Sequence, residues 1–449
     1  MRDRKDSGPW APSLMLFFLG SIVATLQWLM LPHPGFGSGF EAVAIARNLA
    51  FHGVFANPFA NVETGPSAHL APLFPFFLAA LLKIFGNTAL FVIAASLATI
   101  AMHGLHAALL PWISALFFGN ARPGVYAAIL SIALPALQFT PAWEAIYTAV
   151  GAMLFCLFTE WLLRKKDHSL LRGTAAGICC GVLLLLNPAT LFLCAPWLLF
   201  LLIRRRNSVA VFAAFVCAAF LVCLPWNVRN YAQFHRWFFI RDNLGLELYG
   251  SNMDGASSSD AVNQVNGNHI ATQLHDNPRE AAKMLRMGEV EYNRARMADA
   301  TAWIRTHPGR FLGLTARRFV EFWFPNPAGV SMYSYSIWAI TALSIPGILI
   351  MLKERTPAVW FVISVLAMYP VIYYFVQTSI RFRYPVLWLS LLPAGYWIAG
   401  MLGKCGAANL GCSRLLAGLR RAREHPDRRE GRLKGGCGQD CPPHNSVAD

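Results

Sequence analysis

Apolar runs near bilayer length recur along almost the whole chain, and clusters of Arg and Lys separate them: Arg164-Lys165-Lys166, Arg204-Arg205-Arg206, Lys353-Glu354-Arg355 and an Arg-rich stretch beyond Lys404. A single water-soluble core has no room for so many apolar segments. Only 14% of the 449 residues are charged and 56% are hydrophobic, whereas ordinary soluble domains carry roughly 25% charged residues. The chain therefore reads as an all-α polytopic membrane protein. Its net charge of +15 could suggest a nucleic-acid partner. The cations, however, flank apolar runs, as the positive-inside rule requires, so no nucleic acid is expected.

The same charges orient the chain. MetArgAspArgLys precedes the first span, Ser13–Leu31, which puts residues 1–12 in the cytoplasm and the next loop, 37–87, outside. Within that loop Pro72–Phe85 is apolar but short, with two prolines and Lys83. A span needs ~20 residues, so this segment is expected to lie on the membrane as a juxtamembrane helix. Nine further spans follow: Thr88–Trp112, Ala121–Phe139, Ala145–Leu163, Thr174–Pro188, Leu191–Ile203, Val209–Trp226, Ser336–Leu352, Ala358–Val376 and Val386–Leu402. With about ten spans every strong basic cluster falls inside, and both termini are cytoplasmic. Counting Pro72–Phe85 as a span would put the clusters outside. The membrane domain thus covers 13–402, with a large external loop at 229–333.

In the large loop, Asn252–Asn268 is Gly-, Ser- and Asn-rich and reads as irregular; Pro278–Arg305 has a helical pattern that Pro308-Gly309 ends. Phe311–Leu314 and Phe319, Phe322, Trp323 and Phe324 alternate with Arg310, Arg317 and Arg318, as in a helix lying on the outer membrane surface. The tail, 403–449, is basic and poor in apolar residues; it is expected to be disordered and to touch anionic inner-leaflet lipid. Six cysteines lie in apolar runs as small hydrophobes, and the four in the tail lack a zinc spacing.

Polar residues on the external side carry the candidate chemistry. Glu41 opens a short helix, Phe40–His52, and shares a face with Asn48 and His52. A carboxylate there can take a proton from a hydroxyl, although a solvated surface charge has the same spacing. GlyProSerAlaHisLeuAlaPro, 65–72, is a rigid entry that presents His69, a residue able to bind phosphate, metal or acceptor, or merely to hydrogen-bond within the fold. Glu144 stands at the outer end of a span, able to line the same cavity or to cap its helix. ArgPheArgTyrPro, 381–385, places two cations outside, against the charge rule. Arg381 and Arg383, with the adjoining Tyr384, are candidates to hold a phosphate, and snorkelling to lipid headgroups competes with that role. ProTrpAsnValArgAsn, 225–230, offers Arg229 likewise. No Walker loop, dinucleotide fingerprint or zinc motif stands out, which argues against a nucleotide-sugar domain.

The order of these motifs resembles the GT-C superfamily of membrane glycosyltransferases, in particular the bacterial relatives of the protein O-mannosyltransferase and aminoarabinose transferase group. The resemblance spans Ser13–Leu402 and rests on the acidic residue before IleAlaArgAsnLeuAla, on GlyProSerAla with ProLeuPheProPhePhe, on ProTrpAsnValArgAsn and on ArgPheArgTyrPro. It implies a polyprenyl-phosphate-linked sugar as donor and a glycan, lipid or protein acceptor on the outer face of a bacterial cytoplasmic membrane. It further implies an acidic base at Glu41, arginines on the donor phosphate, and no free nucleotide. The wider superfamily usually has Asp at the acidic position, often with a second acid close by. Here Ala42 follows Glu41, so participation of a divalent metal is left open. A flippase or a non-catalytic binder of a lipid-linked saccharide would share the span count, but internal repeats and broken midplane helices are little in evidence.

Overall fold

A computed structural model describes residues 9–30, 40–164, 169–205, 208–268, 274–327 and 331–402. The start of the chain up to residue 8, expected from the sequence to be cytoplasmic, the beginning of the first loop, Lys165–Asp167, Arg206 and the basic tail lie outside the described residues. The chain divides into two compact units, Met1–Ala399, which holds the helical bundle, and Gly400–Asp449. Among the described residues there are helices and no strands.

The helices, in order, are α1 Trp10–Met30, α2 Glu41–His52, α3 Leu73–Phe85, α4 Ala89–Phe118, α5 Arg122–Ala133, α6 Ala145–Leu163, α7 Leu170–Leu186, α8 Leu191–Arg205 and α9 Val209–Phe234. The large loop contributes α10 Leu244–Ser251, α11 Asp260–Val265, α12 Pro278–Met287, α13 Glu289–Thr306 and α14 Pro308–Trp323. The chain closes with α15 Ser331–Lys353, α16 Val359–Met368 and α17 Trp388–Leu402. Five of them (α1, α4, α6, α9 and α15) are long and apolar enough to cross a bilayer by themselves. The turn Ile380–Val386 and α17 form a sixth candidate, bent by 65°. Helices α7, α8 and α16 are apolar but shorter. The protein is therefore an all-α, multi-pass membrane protein, several of whose ten expected spans are short or bent.

Several boundaries depart from the sequence reading: α16 ends at Met368, short of Val376; Gly288 breaks the helix expected over Pro278–Arg305 into α12 and α13; and the stretch read as irregular, Asn252–Asn268, holds α11. Helix α5 stops at Ala133 instead of running to Phe139, because Leu134, forced out of the helical region by Pro135, is extended (φ −101°, ψ 105°). Helix α4 passes through Pro111 and ends at Gly119, whose left-handed φ of 68° closes the last turn. Helix α9 likewise continues two turns beyond Pro225, so Trp226–Asn230 is helix, not the exit of a span. In each apolar helix the neighbours tolerate an internal proline, and the cap sets the end.

Helix α3 has 13 residues, about 20 Å at 1.5 Å per residue, against a hydrocarbon core of ~30 Å. It buries Phe74, Leu78 and Leu82 in one cluster with Ala42, Val43 and Ala46 of α2 and with Phe91 and Ala95 at the start of α4. Its length and neighbours thus fit a juxtamembrane helix. Helices α7 and α9 meet closely because Gly173, Gly177 and Gly181 recur every fourth residue. A Cβ on Gly173 would lie 2.5 Å from the carbonyl oxygen of Val211, and one on Gly181 would lie 2.6 Å from the Cβ of Val222. Small residues on one helix face allow this approach between membrane helices.

Candidate functional site

The ends of α2, α6, α7 and α16 surround a cavity of about 340 Å³, which the segment 241–247 and the turn after α16 complete. Glu41 enters as the first residue of α2. The helix is anchored by buried Ala42, Val43, Ile45 and Ala46, so its first turn, and with it the carboxylate, is held at the cavity edge. Glu144 is the N-cap of α6 on another wall. Both acids stand at helix N-termini, where the helix dipole favours negative charge by ~0.3–1 kcal/mol.

His69 lines the cavity while only 4% exposed, its ring edge-on to Phe59. Burial, with Arg241 and Arg381 nearby, lowers its pKa to about 3, so the imidazole is neutral at physiological pH. Its Nδ1 has no hydrogen-bond partner among the described residues. Arg381 faces the same space between two rings, its guanidinium carbon 5.3 Å from the centres of both Trp143 and Phe382. The carboxylates of Asp260, Glu41, Glu144 and Glu247 act on it electrostatically. Arg381 Nε and Trp143 Nε1 are buried and have no partner among the described residues; both atoms can only donate, so two cavity-lining side chains hold N–H groups with no acceptor there.

The sequence reading missed the opposite wall, Arg241, Asn243 and Glu247. Arg241 Nε donates to Asn243 Oδ1 at 3.0 Å, and Asn243 Nδ2 reaches Glu247 Oε1 at 3.4 Å. Burial raises the Glu247 carboxyl, and Arg241 and Arg381 partly restrain it. This wall depends on the residue before it. Ile240 has φ +59°, a left-handed conformation unusual for a β-branched side chain and costing of order 1–3 kcal/mol. Trp226 Nε1 and Asn230 Nδ2 both donate to its carbonyl, at 2.8 and 3.0 Å, and its N–H donates to Asn227 Oδ1 at 3.1 Å. ProTrpAsnValArgAsn therefore clamps the turn that delivers Arg241. The signal available in the sequence was ArgAspAsn (241–243) and Glu247 set among PhePheIle and LeuGlyLeu.

Four predicted residues come together in the cavity: Glu41, His69, Glu144 and Arg381. Four do not line it, and each is engaged elsewhere. Arg229 cross-links the first loop, donating to Ser67 O at 2.8 Å and Phe55 O at 3.0 Å. Arg383, 2% exposed, donates to Trp323 O, Thr341 Oγ1 and Ser390 Oγ. Tyr384 accepts the Gln138 N–H through its hydroxyl. Asn48 bonds Ala44 O and the Asn57 amide beside a separate cleft between α2 and residues 57–63. For half-buried Arg229 and buried Arg383 the reason is shared: each guanidinium spends donors on backbone, amide or hydroxyl oxygens of the fold. Among the described residues no three His, Cys, Asp or Glu side chains gather as a metal-ligand group.

No family model and no curated protein matches the sequence. Solved structures similar to this chain include the following two. One is the archaeal oligosaccharyltransferase AglB from Archaeoglobus fulgidus, in complex with an inhibitory peptide and a dolichol-phosphate: 15% identical, TM-score 0.49, covering 94% of this chain and 52% of that one. The chain thus spans about half the length of AglB. The other is ArnT from Cupriavidus metallidurans, bound to undecaprenyl phosphate: 14% identical, TM-score 0.38, covering 83% of this chain and 77% of that one. At these scores the likeness says nothing of this chain's chemistry, which has to come from its own side chains.

Proposed function

We propose that this protein is a membrane glycosyltransferase of the GT-C class. It moves a sugar from a polyprenyl-phosphate donor to a hydroxyl acceptor at the outer face of a bacterial cytoplasmic membrane. One observation carries the reading: two arginines and unanswered buried N–H groups share a cavity with Glu41 and Glu144. Arg381 and Arg241 are suited to phosphate oxygens through paired N–H donors. The Trp143 N–H adds a third donor, and neutral His69 can donate or accept without adding charge.

In this reading the acceptor hydroxyl gives its proton to Glu41 as its oxygen attacks the anomeric carbon. The carbon–oxygen bond to the phosphate breaks on the opposite face, and the lipid phosphate leaves with the electron pair. Arg381 and Arg241 stabilise the charge that develops on it, the term that dominates many such sites. Inversion at the anomeric carbon follows from the single displacement.

The test is release of lipid phosphate by the purified protein, supplied with a labelled polyprenyl-phosphate sugar and extracts holding glycan, lipid and protein acceptors. Glu41→Gln should slow transfer by about 10²–10⁴-fold, the usual contribution of a positioned base. Arg381→Met should weaken donor binding. Full transfer by Glu41→Gln would remove Glu41 from the chemistry. Tight donor binding without release by the wild type would favour a non-catalytic binder, and movement of intact donor across vesicles a flippase.

A further inference from the structure

Ser67 and Ala68, the two residues before His69, are gripped by three separate parts of the chain. Arg229 of α9 donates to Ser67 O at 2.8 Å, and the Asp242 N–H donates to Ala68 O at 3.0 Å. The third grip is Glu289, whose Oε1 accepts the Ala68 N–H at 2.6 Å. Glu289 begins α13, directly after Gly288, whose φ of +81° turns the chain into the helix. It is 1% exposed and lies outside the cavity lining. Burying a carboxylate is costly unless something requires it, and this one sits against the backbone that presents His69. The loop is stiffened from within as well, since the His69 N–H donates to Ser67 Oγ at 2.9 Å.

We infer that Glu289 is a positioning residue, whose carboxyl group, by accepting the Ala68 N–H, fixes the loop that sets the His69 imidazole in the cavity wall. The inference rests on the cavity being the donor site, and it couples α13 of the large loop to the first loop. A consequence is pH sensitivity. The groups facing Glu289 are Ser67 and the Ala68 N–H from the first loop, Asp242 from the segment before α10, and Arg229 from α9. Burial raises the Glu289 carboxyl from 4.5 to about 7, the Ser67 and Ala68 hydrogen bonds and Arg229 pull it down, and Asp242 pushes it up. Once released from the loop, the group returns to its ordinary value. A raised value in the closed form means that the latch is tightest below 4.5. It loosens as pH rises towards 7 and levels off above.

Hydrogen exchange of the full chain in lipid nanodiscs tests this on the peptide containing Ser67, Ala68 and His69. In the wild type, protection of the Ala68 amide, corrected for intrinsic exchange, should fall between pH 4.5 and 7 and then plateau. In Glu289→Gln the amide oxygen still accepts the N–H but does not titrate, so the amide should stay protected with a flat profile. Glu289→Ala should exchange about tenfold faster or more, the loss of roughly one buried hydrogen bond. Binding of polyprenyl phosphate should weaken in Glu289→Ala and be restored in Glu289→Gln. Moreover, adding Glu289→Ala to His69→Ala should cost little further affinity, because the two act through one contact. The same pH profile in wild type and Glu289→Gln, or additive losses in the double variant, would overturn the inference. If Glu289→Ala does not fold, the comparison of wild type with Glu289→Gln still decides. A wild type that transfers no sugar would sink the transferase reading and leave the exchange result to stand or fall alone.

Discussion

Arg383 and Arg381 are two residues apart, yet their surroundings suit Arg383 to holding the fold and Arg381, in the proposed function, to holding the donor, and replacing each by Met separates those roles. The Arg383 guanidinium donates to Trp323 O at 2.9 Å, Thr341 Oγ1 at 2.7 Å and Ser390 Oγ at 3.1 Å, and it lies 4.7 Å from the centre of the Trp323 ring. It ties the end of α14 to α15 and α17. Three hydrogen bonds to a cation, at ~1.5–3 kcal/mol each, sum to ~5–9 kcal/mol. Relief from holding a charge out of water returns several kcal/mol of that, and breaking such a buried network by removing one partner costs about 3–5 kcal/mol net. Arg383→Met should therefore lower the stability of the purified protein in an SDS or thermal unfolding assay by about 3–5 kcal/mol, while the folded fraction keeps the affinity of the wild type for polyprenyl phosphate. Arg381→Met should lose one charged contact to phosphate, about 10–100-fold in affinity, and should also destabilise the fold, because it leaves the carboxylates of Asp260, Glu41, Glu144 and Glu247 without their cation. An Arg383→Met protein that unfolds like the wild type but has lost the lipid phosphate would refute this division, and would mean that Arg383 reaches the donor.

Two further outcomes test the frame and the cavity wall. Gly177→Leu would drive a side chain into the Phe215 carbonyl and to within 2.9 Å of the Ala218 Cβ where a Cβ alone would stand; overpacking of this kind costs ~1–3 kcal/mol, and unaltered unfolding would show that α7 and α9 do not pack as described. His69 has its pKa lowered from 6.5 to about 3 by burial and by the two arginines: the stability it lends is complete above 6.5 and is lost as pH falls towards 3. Unfolding of wild type and His69→Asn should then diverge on the acid side and not between pH 7 and 8, and parallel curves below 6.5 would mean that the imidazole charges freely where it lies.

Much of the membrane frame was legible because it obeys simple rules. Helix α6 begins and ends where its apolar run does, at Ala145 and Leu163. The short α3, Leu73–Phe85, falls within the segment Pro72–Phe85 that the sequence marked as apolar but short. What misled the reading was proline. The spans read as ending at Trp112 and Trp226, each just after a proline, but an apolar helix tolerates an internal proline, and α4 and α9 run on until Gly119 and His235 adopt left-handed backbones. The site was half legible. Glu41, His69, Glu144 and Arg381, all named from the sequence, line one cavity. Arg229 and Arg383 have the same residue type and lie on the same side, and only the three-dimensional partners show that their donors are already taken.

The wall that escaped notice explains why one of the recognised motifs has its composition. Were ProTrpAsnValArgAsn a phosphate site, only its arginine would need to be specific, and Trp226, Asn227 and Asn230 would be filler. Instead both asparagines and the tryptophan bond the peptide groups of Ile240, and Arg229 bonds those of Phe55 and Ser67. Each is a side chain that can donate or accept at a fixed distance from a rigid helix, which a left-handed, non-glycine residue requires if it is to hold its conformation. Ile240 then turns Arg241 towards the carboxylates, while Ser67 leads to His69. One helix end thus sets two cavity residues that are far apart in sequence. No periodicity records such an arrangement, because the partners lie in irregular segments, where neither a 3.6-residue nor a 2-residue repeat applies.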